Sequence, residues 1–182
     1  PPAAPCPSAD DAPGEAPMNL GGAQAELFEP FVADVEQTLA SIGEHLARLG
    51  DAAAAKAAQE NASDLAGELA TTVEFFEFRA MSRLVAALRV GLTGLGAFDA
   101  PTDVLLLPRL EAVHQLLLRQ AEGLASKRLR VFPDGLLIAR VEALAAGETE
   151  GIPPAADAEA ALAADGVATG TPAGPEPAAE EI

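Results

Sequence analysis

A chain of 182 residues has room for one ordinary core with flanking segments, and not for two full domains with separate cores. Its net charge of -17 sets 28 acidic side chains against 11 basic ones, which argues against nucleic-acid binding by phosphate neutralisation and against an anionic membrane surface as partner. The hydrophobic fraction is 49%, yet there is no Trp, no Tyr and only 7 Phe, so the core must be built from Leu, Val and Ala. That palette favours helix over strand.

The first segment, residues 1–22, is rich in Pro and holds three acids and no base. It is read as a disordered leader. Its Cys6 is the single cysteine of the chain, which excludes an internal disulfide and a multi-cysteine metal site and fits a reducing compartment. Residues 148–182 turn to Ala, Pro, Gly and Asp/Glu with eight acids and no base, the composition of an extended, self-repelling acidic linker or tail. Between them, residues 23–147 keep seventeen acids against all eleven bases, or -6. This is the expected folded module. A module flanked by linkers on both sides, in a chain that opens on Pro1, looks like one unit of a longer modular protein, with a processed complete chain as the alternative. No apolar run is long enough for a membrane span and the amino terminus lacks a secretory pattern, so a soluble, cytoplasmic protein is expected.

Within the module, Phe28, Val32, Val35, Leu39, Ile42, Leu46 and Leu49 recur in alternating steps of four and three, an apolar helical seam. Gly50 stops this helix and Asp51 is placed to cap the next. The second helix opens on Ala-rich sequence and runs through Leu65, Leu69 and Val73; the third follows Phe78, Met81, Leu84, Val85, Leu88 and Leu92 to the region of Gly94 and Gly96. Asp99 and Thr102 mark a turn. A fourth helix carries Leu106, Leu110, Val113, Leu117 and Leu124, with Pro108 expected in its first turns. Leu129, Val131 and Phe132 fit either a short strand or a connector, and the connector is preferred because Leu137, Val141 and Leu144 then continue a fifth helix. The expected fold is therefore all-α: an antiparallel four-helix bundle with an additional carboxy-terminal helix.

Residues with chemistry are few. His45 and His114 lie in the first and fourth helices, neither with a second His or Cys at metal-ligand spacing. Glu111 and His114 form one Glu-x-x-His copy where a di-iron bundle needs two, so His114 is read as a solvent-edge contact and no metal or other cofactor is expected. His45 is read as an exposed side chain favoured at a helix carboxy terminus. Arg79 and Arg83 are expected to pair with Glu77 or other exposed acids, and Lys127, Arg128 and Arg130 to satisfy the last carbonyls of the fourth helix. Phe75, Phe76 and Phe78 are expected to form a packed plug between the second and third helices. No phosphate-binding glycine loop occurs, since Gly91, Gly94 and Gly96 lack the following Lys-Ser/Thr and the flanking strand.

One segment is more specific. Ala62-Ser63-Asp64-Leu65-Ala66-Gly67-Glu68-Leu69 resembles the second helix of histidine phosphotransfer domains, the module that begins chemotaxis-type histidine kinases, whose active centre reads Ala-His-x-Leu-Lys-Gly-x-Ala. In this register Ser63 stands at the phospho-accepting His and Ala66 at the supporting Lys. In a second register, Phe76-Glu77-Phe78 looks like the Phe-Gly-Phe that opens the family's third helix, and counting back without gaps puts Gly67 at the His and Ala70 at the Lys. The resemblance covers about residues 27–144. It implies a degenerate phosphotransfer-like (HPt-like) module of two-component signalling. Ser63, Ala66, Gly67 and Ala70 would then mark a face that docks a receiver domain or a histidine kinase segment. Neither register retains a nucleophile: a Ser hydroxyl needs an adjacent base, and Gln59 one turn back is an amide. Two alternatives stay open, active phosphotransfer through His45 or His114, and an oligomerising amphipathic bundle resembling granule-coat proteins.

Overall fold

The computed structural model describes residues 14–18, 20–96, 100–153 and 156–163. In chain order the elements are β1 (Gly14–Pro17), α1 (Ala23–Leu46), α2 (Ala55–Phe75), α3 (Arg79–Gly94), α4 (Ala100–Ala125), β2 (Arg128–Val131), α5 (Gly135–Ala145) and α6 (Ala156–Ala163). The protein is an all-α helical bundle to which a two-stranded ribbon is added. α1 packs on α2, α2 on α3, α3 on α4, and α4 returns to α1; α5 lies against α3 and α4.

Periodicity in each helix becomes one face of a common core. Phe28, Val35, Leu39, Ile42 and Leu46 of α1 are buried, with Phe31 taking the place expected for Val32 and leaving Val32 and Leu49 half-buried. In α2 the buried face is Ala58, Ala62, Ala66, Leu69 and Val73, so alanines, which fill little space, let its neighbours come close. Leu84, Val85, Leu88 and Leu92 of α3 meet Leu106, Leu110, Val113 and Leu117 of α4 in the same cluster. Two glycines fix how tightly α3 sits: a Cβ on Gly91 would run into the Leu110 side chain, and one on Gly94 would lie 2.7 Å from the Ala145 Cα of α5. The backbone approach of α3 to α5 thus has no room for a side chain.

At the corner between α2 and α3 the rings of Phe76 and Phe78 stack 5.7 Å apart, and both reach Phe31, at 4.0 and 5.7 Å. Phe28 lies 6.2 Å from Phe76. The expected plug therefore exists, but it joins α1 as well, and Phe75 sits at its rim: that ring stands edge-on to Phe76 at 5.1 Å and is 55% exposed.

Other expectations are corrected. The connector after α4 is a strand: β2 pairs antiparallel with β1, Gly14 opposite Val131 and Pro17 opposite Arg128. Part of the leader is therefore ordered. Alternation of Arg128 and Arg130 with Leu129 and Val131 suits a strand with one face on the bundle, and Pro at the end of a strand costs little pairing. Lys127, at φ +54, turns the chain out of α4, Arg128 and Arg130 lie in the ribbon, and Arg130 lies 3.9 Å from Glu122. The acidic tail is also ordered in part, as α6. Pro108 lies inside α4, well beyond its first turns; the carbonyl it fails to satisfy belongs to Val104, a residue that is 67% exposed. Asp51 caps the turn ahead of α2, its Oδ1 accepting from the Ala53 amide. Asp99 lies outside the described residues, as do 1–13 of the leader, Cys6 included, and 164–182 of the tail; Thr102 is buried within α4.

Candidate functional site

The four residues singled out on α2 divide between two faces. Ala66 is fully buried, whereas Ser63, Gly67 and Ala70 are half-buried along one side of the helix. A Cβ placed on Gly67 would meet nothing within 4 Å. Among the described residues no neighbouring helix approaches Gly67, which opens onto free space. One turn before Ser63, the Gln59 amide donates to the carbonyls of Leu92 and Leu95 at 2.6 and 2.9 Å, tying α2 to the carboxy-terminal end of α3, where carbonyls lack intrahelical partners. Gln59 is thus held in place, and it is no base for Ser63. Asp64 is exposed on another side of the helix.

At the far end of α2 the corner residue Glu77 has φ +56. That is left-handed backbone, which side chains other than glycine adopt at a cost of roughly 1 kcal/mol or more. It lies between the two buried rings of Phe76 and Phe78.

The two histidines lie on different helices, His45 in α1 and His114 in α4. His114 is 7% exposed, not at the solvent edge as expected, and its Nε2 lies 2.8 Å from the Leu39 carbonyl of α1. Since a carbonyl only accepts, Nε2 carries the proton and donates. Gly43 makes the room: a Cβ there would sit 2.9 Å from the His114 ring. Burial pushes the His114 pKa below its ordinary 6.5, opposed in part by the bond to Leu39. The ring is therefore neutral at physiological pH, with its proton committed to α1. His45, in the last turn of α1, is half-buried and not exposed; its Nδ1 has no hydrogen-bond partner among the described residues.

Two polar features escaped the sequence reading. Arg109 of α4 is fully buried and donates from Nε and Nη2 to both carboxylate oxygens of Asp157 at 2.9 and 2.6 Å, and also to the carbonyls of Leu105 and Pro153. This bidentate pair holds α6 on the bundle, and Arg119 adds a bond to the Leu162 carbonyl. Arg83 pairs with Asp134 at the start of α5 at 3.2 Å, an acid that is buried where exposed partners were expected. The signal for both was a charge set among seam positions: Arg109 lies one residue before Leu110 and three after Leu106.

A groove of about 900 Å3 is lined by the α2–α3 corner, the end of α4 and β2. A second of about 470 Å3 lies beside His114, where α1, α4 and α6 meet. Among the described residues no group of three or more His, Cys, Asp and Glu is placed to hold a metal ion, and no helix is long and apolar enough to cross a membrane. No family model, no curated protein and no solved structure matches the chain.

Proposed function

We propose that the chain is a non-catalytic docking module of histidine-phosphotransfer type, in which Gly67 stands where an acceptor histidine would stand. A receiver domain or a kinase segment docks on the α2 face of Ser63, Gly67 and Ala70, and no phosphate is transferred. The observation that carries this reading is the left-handed Glu77 between Phe76 and Phe78. In the Phe-Gly-Phe of that type the middle position is glycine, the residue for which such backbone costs least. A left-handed residue between the two Phe is where a glycine would fit best, which favours the register counted from this corner, and that register lands on Gly67. The open space over Gly67 is what an acceptor side chain facing a partner needs.

The same positions account for the missing chemistry. Gly67 offers no nucleophile, Ala70 no cation to neutralise a phosphoryl group, and Gln59 no base. His114 gives its Nε2 proton to the Leu39 carbonyl and is too buried for in-line transfer from a partner. The test is titration of isotope-labelled protein with a receiver domain. Backbone signals of residues 63–70 are expected to shift on adding the receiver and to stay unchanged on adding a small phosphodonor. Shifts confined to other surfaces, or none at all, would overturn the assignment of this face.

A further inference from the structure

We propose that the groove bounded by the α2–α3 corner, α4 and β2 binds a short apolar zwitterion, in size between an amino acid and a tripeptide. Its ammonium end would lie toward Gln120 and the glutamates, and its carboxylate toward the arginines. Gln120 is the observation that carries the proposal. It lines the groove and is only 4% exposed, its Nε2 donates to the Arg130 carbonyl at 3.3 Å, and its Oε1 has no hydrogen-bond partner among the described residues. Turning the amide round would set its oxygen against that carbonyl, two acceptors facing each other, so the orientation is determined by chemistry. A buried acceptor left unmade is a cost that a ligand N–H removes.

The rest of the lining narrows the ligand class. Phe78, Met81 and Leu124 are buried and give the groove an apolar side. Arg79, Arg83 and Arg130 line it together with Glu74 and Glu77. Among the described residues Arg79 and the two glutamates have no ion-pair partner. A simple anion would leave the glutamates opposed and a simple cation would leave the arginines opposed; a molecule with both ends charged and an apolar body suits all three kinds of lining. The volume of about 900 Å3 lies within the range of small-molecule sites, which runs from about 300 to about 1,000 Å3. This groove is distinct from the Ser63 and Gly67 face, so the two readings stand or fail separately.

Trileucine is the probe, added to isotope-labelled protein, with its N-acetylated and C-amidated forms as separate arms. The unmodified peptide is expected to shift the backbone signals of Met81, Gln120 and Leu124, and blocking either end to weaken binding about tenfold or more. Gln120→Leu, of similar volume, is expected to abolish discrimination against the N-acetylated form. Arg79→Ala changes an exposed side chain, leaves the fold intact, and is expected to abolish discrimination against the C-amidated form, so the test survives if the Gln120 variant does not fold. Absence of shifts at millimolar trileucine, or equal binding of a peptide blocked at both ends, would overturn the proposal.

Discussion

His114 shows how much a single side chain can be asked to do in this bundle. Its Nε2–H links α4 to α1, and the ring fits only because residue 43 is glycine. The folded pKa lies below 6.5 through burial. Above 6.5 the ring is neutral in both folded and unfolded chains and its contribution is fully present; as pH falls through 6.5 the unfolded chain binds the proton first, and stability is lost toward the folded value. Glu111 and Glu159 line the same concavity. A melting temperature that declines between about pH 7.5 and about pH 5.5 is therefore expected, with a shallower decline in His114→Gln. Two glycines make a second contrast at this scale. Gly67→His is expected to be neutral or to stabilise by a few tenths of a kcal/mol, because glycine is a poor helix former and the space is open. Gly94→Val, driven against the Ala145 backbone, is expected to cost about 1 to 3 kcal/mol by urea denaturation. Chain position alone does not separate these glycines, since what distinguishes them is the packing of α5 on α3.

Helix periodicity made the elements of the core legible. The seams through Leu39, Leu69, Leu88 and Leu117 lie where their spacing put them, since a 3.6-residue period is a local property of the chain. The ribbon and α6 were not legible for the opposite reason. Gly14–Pro17 has no strand-forming composition, and its partner Arg128–Val131 is more than a hundred residues away. Likewise α6 buries little beyond Ala158 and Ala161 and depends on Asp157 meeting Arg109 across the fold. Replacing Asp157 by Ala leaves a fully buried guanidinium without its counter-charge, and such losses amount to about 3 to 5 kcal/mol when the charge stays buried. Release of α6 exposes Arg109 to water and limits the damage. The expected result is loss of amide protection over residues 156–163 in hydrogen exchange, with α1 to α4 still protected. The corner cluster behaves as core: Phe76→Ala is expected to cost about 3 to 5 kcal/mol and Phe75→Ala under about 1 kcal/mol, measured by the denaturation midpoint.

For the molecule as a whole, eleven of the seventeen net negative charges lie outside residues 23–147, and the core within those residues is an ordinary one of Leu, Val and Ala. Two features legible at the start, the small-residue face of α2 and the Phe-Glu-Phe corner, are joined by the structure only through backbone conformation. Ser63, Gly67 and Ala70 share a face by helical spacing, but under the proposed reading the choice of acceptor position among them rests on Glu77 and its φ of +56, a quantity no residue type announces. Gln120 was illegible because its place at the end of an apolar seam does not reveal which amide atom finds a partner. The central claim, a phosphotransfer-like bundle emptied of its chemistry at Gly67, is tested most directly by incubating wild type and the double variant Gly67→His, Ala70→Lys with a phosphorylated receiver domain and measuring acid-labile phosphate on each chain. The account predicts none on wild type and label on the variant; acid-labile phosphate on wild type, lost when His45 or His114 is replaced, would contradict it.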